Sequence, residues 1–147
     1  MDSGAVSEYV LDSIPMAANF PTVGKVIKIY MDGIYTLGNN ETFTLIFRHG
    51  LGGEVIDSTK LVGVNPGPTN APWNAEFVMT YRSVGASGTV VTCTHLDANS
   101  VGQANTPLGV VTTNTTVLNT LYVNVRRSAA TAGTKVTLRQ AWAETKN

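Results

Sequence analysis

Charge is scarce in this chain. Of its 147 residues, ten are Lys or Arg and ten are Asp or Glu, so charged residues make up 14% and the formal net charge is zero. A typical soluble domain carries roughly 25%. Phosphate binding needs a clear excess of cations, so nucleic acid is not an expected partner. Cysteine occurs once, as Cys93, which excludes an intrachain disulfide. No run approaches the roughly 20 consecutive apolar residues of a spanning helix, so a membrane partner is not expected either. The N-terminal Met-Asp-Ser-Gly lacks a basic region followed by an apolar one, which predicts no signal peptide. Together with the lone cysteine this predicts a soluble protein made in a reducing cytoplasm. In that setting the sequons at Asn40 and Asn114 read as chance matches.

Catalytic chemistry is equally sparse. The only histidines are His49 and His95. Cys93, His95 and Asp97 share one face of a strand at i, i+2, i+4, a spacing compatible with a metal. A thiol beside two polar residues near a strand end is the commoner case. His49 sits beside the glycine-rich stretch 50–53 and is expected at the surface. Gly-x-Ser-x-Gly is absent, and Gly85-Ala-Ser87-Gly88 reads as a hairpin turn. The carboxylate pairs Glu54 with Asp57 and Glu76 with Asp97 are too scattered for acid–base work. The stretch 50–53 lacks the Lys and the helix of a phosphate loop. No catalytic, cofactor-binding or metal-ligating residue is therefore expected, and no enzyme.

The chain is instead rich in strand formers. Hydrophobic residues make up 43%, with many Val and Thr, and short alternating runs are punctuated by turn residues every 8–12 residues or so. In residues 25–31, Ile27, Ile29 and Met31 oppose Val26, Lys28 and Tyr30. Asp32-Gly33 is a turn dipeptide, and a short strand follows over 34–37. Residues 42–48 alternate Phe43, Leu45 and Phe47 with polar positions. Residues 54–64 form a weaker strand, interrupted near Asp57-Ser-Thr59. A proline-rich loop, 65–72, leads into the cleanest strand, 73–83, with Trp73, Ala75, Phe77, Met79 and Tyr81 on its core face. A hairpin leads into 89–96, and 97–113 reads as a polar loop. Residues 115–126 oppose Leu121, Val123 and Val125 to Tyr122 and Asn124. The last strand, 135–143, has Val136, Leu138 and Trp142 on one side. The count predicts an all-β antiparallel sandwich with eight strands, the jelly-roll number. Tyr30 and Tyr122 oppose their strands' main apolar residues, which makes them candidates for an oligomer interface. Arg126-Arg127 reads as a solvated strand end.

Residues 1–22 stand apart. Their scattered apolar side chains are Val6, Tyr9, Val10, Leu11, Ile14, Met16 and Phe20, and Pro15 and Pro21 interrupt any helix. The reading is an extended N-terminal arm, or a short helix followed by a linker, over 1–22 ahead of a β-domain over 23–147, with those apolar residues laid along a partner.

From Gly24 onward the chain resembles a bacteriophage virion jelly-roll family, used in head decoration (cement) proteins and in fibre knob domains. The phrases that carry the resemblance are Lys25-Val-Ile-Lys-Ile-Tyr-Met-Asp-Gly-Ile-Tyr-Thr36, Pro72-Trp-Asn-Ala-Glu-Phe-Val-Met-Thr-Tyr-Arg-Ser-Val-Gly85, Ala86-Ser-Gly-Thr-Val90, Leu121-Tyr-Val-Asn-Val125 and Ala132-Gly-Thr-Lys-Val-Thr-Leu138, in that order. The resemblance implies a virion structural protein made in the host bacterial cytoplasm. The short chain favours a decoration protein on the capsid surface over a fibre with its shaft. Its implied partners are the major capsid protein and two further copies of itself in a homotrimer. The alternative is a receptor-binding knob that binds through loops 65–72 and 97–113.

Overall fold

The computed structural model describes residues 7–50, 52–61, 63, 65–98, 103–106, 109–129 and 131–147. It is an all-β, antiparallel jelly-roll sandwich of ten strands: β1 (Tyr9–Met16), β2 (Val26–Thr36), β3 (Phe43–His49), β4 (Glu54–Leu61), β5 (Ala71–Ser83), β6 (Gly88–Asp97), β7 (Gln103–Thr106), β8 (Val110–Thr113), β9 (Asn119–Arg127) and β10 (Lys135–Lys146). One sheet, here sheet A, has the order β1-β9-β3-β4-β7, and the other, sheet B, has β10-β2-β5-β6-β8. The hairpins β3–β4 and β5–β6 each stay within one sheet, and the remaining connections pass between the two. Among the described residues no helix is long and apolar enough to cross a membrane.

Alternation decides which side chains fill the sandwich. On β2, Ile27, Ile29, Met31 and Tyr35 point inward and are buried, while Lys28 and Tyr30 point out. Phe43, Leu45 and Phe47 from β3 meet the inward row of β5, Trp73, Ala75, Phe77, Met79 and Tyr81, as their spacing predicts. Phe47 stacks on Phe77 across the sheets, with centroids 4.2 Å apart and an interplanar angle of 11°. Phe43 meets Trp73 edge-on at 6.2 Å.

Several sequence expectations change here, each for a physical reason. Residues 1–22 do not form a free arm over β1. Residues 9–16 pair along β9 from Tyr9↔Val125 to Met16↔Asn119 and complete the edge of sheet A. Met16 is buried in the core, where the Tyr81 hydroxyl donates to its Sδ at 3.6 Å, and Leu11, Ile14 and Phe20 pack against the core. Tyr9 and Val10 remain exposed, and Val6 lies outside the described residues. Asp32-Gly33 is not a turn but the interior of β2. Residues 54–61 run as one strand. The loop 97–113 contains β7 and β8.

Gly33 owes its place to a close approach of backbones. A Cβ there would stand 1.9 Å from the Thr137 carbonyl oxygen and 2.6 Å from Trp73 Nε1. At this point β10 takes in an extra residue: Leu138 pairs with Gly33 and Gln140 with Asp32, leaving Arg139 as a bulge. A one-residue bulge reverses which side chains face the core. Trp142, expected beside Val136 and Leu138, therefore lies on the outer face and is 51% exposed.

Two variants test these assignments. Removing residues 1–22 is expected to lower Tm by more than about 10 °C or abolish a cooperative transition, since an edge strand and a core methionine are lost. A truncated chain that melts within about 2 °C of the full chain would show that β1 contributes nothing to the fold. Gly33→Ala is expected to cost about 1–3 kcal/mol in chemical denaturation, the usual toll of overpacking. An unchanged midpoint would contradict the close contact.

Candidate functional site

The outer face of sheet B carries the most distinctive surface. Its side chains form rows set by strand register. Trp142 lies opposite Tyr30, Tyr30 opposite Glu76, and Glu76 opposite His95. In the next row Gln140, Asp32, Asn74 and Asp97 follow one another across the same strands. Directly opposed residues sit about 4.5–5.5 Å apart, close enough to interact. Tyr30 and Trp142 stack with centroids 4.2 Å apart and planes 18° from parallel. Lys28 donates to Glu76 Oε1 at 3.4 Å. A groove of about 270 Å³ is lined by Tyr30, Trp142, Glu76, His95, Asn74 and Asp32. A second hollow of about 400 Å³ adjoins it, shares Asp32 and Asn74, and extends to Asp97 and Arg139.

The expected site residues fall in separate places. Tyr30 is on this face, whereas Tyr122 is on the outer face of sheet A, paired with Ser13 and Arg48. Cys93, His95 and Asp97 share the exposed face of β6 as their spacing predicts. Among the described residues, no group of three or more His, Cys, Asp or Glu side chains is placed to hold a metal. The loop 65–70 is pinned to the β2–β3 connection: Leu37 N donates to Pro68 O at 3.0 Å and Gly67 N to Asn39 Oδ1 at 2.8 Å.

Sheet A's outer face is organised by Glu8. Arg48 donates to its carboxylate twice, at 2.5 and 2.8 Å, and Asn124 Nδ2 donates to it as well. The Arg48 hydrogen bond holds the Glu8 pKa below its ordinary value. This cluster ties the start of β1 across β9 to β3. The hollow beside it is lined by Glu8, Tyr9, Val10, Arg48, Gly52 and Asn124.

Inside the sandwich, polar links join the two sheets where the sequence points to surface. His49 is buried, not exposed, and its Nδ1 lies 2.7 Å from Thr113 Oγ1 on the opposite sheet. In β4 the pairing shifts between Phe47 and Arg48, which bulges Ile56 and turns Asp57 inward. Thr94 Oγ1 donates to Asp57 Oδ2 at 2.8 Å, and Thr92 Oγ1 donates to Ile56 O at 2.8 Å. Arg127 is also buried, not a solvated end: its Nη1 donates to the Thr134 carbonyl at 2.6 Å and to the Thr134 hydroxyl, which in turn meets Glu41. Arg126 is exposed as expected. Threonine after threonine facing inward on β6 is the one sequence signal of this polar interior.

One end of the sandwich is unusually apolar. Thr115 accepts from Asn19 N and donates to Gly85 O through its backbone, and its hydroxyl accepts from Gly85 N at 2.8 Å. This fastens together the β1–β2, β5–β6 and β8–β9 connections. From them project Val23, Val84, Val117 and Leu118, 45–73% exposed.

No protein-family model and no curated protein sequence matches the chain. Among solved structures it is similar to a tetrameric galectin from the ball sponge Cinachyrella sp., with 12% identity, a TM-score of 0.35, and coverage of 90% of this chain and 97% of that one. It is similar also to the galectin LEC-6 of Caenorhabditis elegans, with 12% identity, a TM-score of 0.30, and coverage of 82% and 95% respectively.

Burial pushes the His49 pKa below its ordinary 6.5. The fold holds this imidazole neutral, and the unfolded chain takes up a proton below about pH 6.5. Stability is therefore expected to fall as pH drops below about 6.5, and to level off beneath the lowered folded value. Asp57 works the other way, since burial raises its pKa: its contribution to stability declines as pH rises through that raised value. His49→Gln is expected to flatten the decline between about pH 7 and 5 in urea midpoints. A variant with the native slope would assign the pH dependence elsewhere.

Proposed function

We propose that the chain is a structural protein of a bacteriophage virion: a decoration protein that binds the major capsid protein of the assembled head as a homotrimer and stabilises the shell. The observation that carries this reading is the apolar end, where Val23, Val84, Val117 and Leu118 stand exposed on three loops fastened through Thr115. Isolated exposed aliphatics need no explanation, but four at one end of a small domain mark a contact surface. The charge-poor composition supports the same reading, because Thr and Asn cost less to desolvate than ions. The ordered phrases shared with the phage jelly-roll family supply the virion context.

In this reading the shell is held by the loop end, since residues 9–20 belong to the sandwich. Tyr122, on the face away from the Tyr30–Trp142 groove, serves as the contact between copies. The mechanism is linkage: a protein that binds only the assembled shell stabilises it by about 2.7 kcal/mol per site when present at 100 times its Kd. No bond is made or broken, so the role is not enzymatic. A second reading, a receptor-binding knob, is favoured by the aromatic groove on sheet B.

The test is co-sedimentation with phage heads assembled without the protein, alongside analytical ultracentrifugation. Native protein is expected to sediment with heads and to form trimers. The double variant V84D/L118D is expected to lose at least tenfold in head affinity with Tm changed by less than about 3 °C, because both side chains are exposed. Failure of the native protein to bind heads, together with adsorption to host cells, would favour the knob instead.

A further inference from the structure

We infer that the outer face of sheet B binds a neutral saccharide, with Trp142 as the stacking platform and Glu76, Asn74, Asp32 and His95 as hydroxyl partners. The inference does not depend on where the protein sits on a particle.

The platform comes first. The Trp142 indole is 51% exposed on a strand face and so open to a ligand, and it is backed by Tyr30 at 4.2 Å, which fixes its plane. Pyranose rings present one face of C–H groups, which packs against the electron-rich face of such a ring. The neighbouring positions supply what the ring's hydroxyl edge requires. Glu76 is next in the same row, His95 beyond it, and Asp32 and Asn74 fill the row alongside. Carboxylates accept two hydroxyl hydrogens, and an amide offers one donor group and one acceptor in a plane. The Lys28 contact at 3.4 Å holds Glu76 through Oε1. A concave site with an aromatic wall and a few convergent polar groups is the usual form of a small-ligand site, and the groove adjoins a second hollow that shares Asp32 and Asn74 with it.

Charge selects the class of ligand. Asp32 and Glu76 line the groove and Asp97 the adjoining hollow, against Arg139 in that hollow and Lys28, which is paired with Glu76. Phosphate, sulfate or a uronic acid would meet carboxylates, so the site fits an uncharged sugar.

The test is an array of neutral gluco-, galacto- and mannosaccharides printed beside sialylated, sulfated and uronate-bearing ones, probed with the full chain in the absence of heads. The best neutral saccharide is then titrated against tryptophan fluorescence. Retention of at least one neutral class is expected. Trp142→Ala should weaken binding at least tenfold, Asn74→Ala at least fivefold, and Trp142→Phe should restore part of the loss. Both positions are exposed, so the far-UV spectrum and Tm of all three variants should be preserved. Four results would overturn the inference: no neutral saccharide retained at millimolar protein or ligand, retention of anionic saccharides only, binding unchanged in Trp142→Ala, or Trp142 emission that shifts with protein concentration alone. The last would make this face an interface between copies. Because no capsid enters the assay, its failure leaves the head-binding result standing, and the reverse holds too.

Discussion

Gly33 lets the β10 backbone come to within 1.9 Å of where a side chain would begin, and there β10 admits an extra residue, Arg139. Much of the molecule's outward character follows from that one contact. Before the bulge, Val136 and Leu138 face the core. After it, Ala141 faces in and Trp142 faces out onto Tyr30. Without the bulge the indole would fall opposite Ile29, in a core already filled by Ile29, Phe77 and Phe47, and the outer groove would lose its wall. A glycine in mid-strand costs backbone entropy, and here that cost secures a surface.

The two ends of the sandwich are built on opposite principles. One is closed by a buried chain of Arg127, Thr134 and Glu41, in which each partner's removal would leave a polar group unpaired away from water. The other is closed by backbone hydrogen bonds through Thr115 and leaves its aliphatic side chains outside. The first end is committed to holding the fold together, and the proposed contacts use the second end, the open face of sheet B and Tyr122 on sheet A. Glu8, bonded to Arg48 and Asn124, anchors β1 on the outer face of sheet A.

Strands whose alternation runs unbroken were legible from sequence. The inward rows Phe43, Leu45 and Phe47 of β3 and Trp73 to Tyr81 of β5 match their expected core faces residue by residue, because the twofold period runs unbroken over those stretches. The failures cluster where the period slips. The bulge at Arg139 reverses Trp142, the bulge at Ile56 turns Asp57 inward, and the bulge at Leu11 obscures β1 within a segment already interrupted by Pro15. An extra residue carries no compositional mark, so a period-2 reading extends past it with the wrong parity. Asp32-Gly33 misled for a different reason: the same dipeptide serves a tight turn and a close approach of backbones, and local sequence does not distinguish them. His49 and Arg127 were read by residue type as surface, whereas long-range partners, Thr113 and Thr134, make their burial tolerable.

The parity of β10 is the point on which the groove and the proposed saccharide site stand. The chain has two tryptophans, and the fold buries Trp73 while exposing Trp142. Acrylamide quenching of native protein at low concentration reads this directly. The account expects two emission components, one protected and one freely quenched, with the quenched component absent in Trp142→Phe. Two equally protected indoles, or a quenched component that survives Trp142→Phe, would place Trp142 in the core and contradict the account.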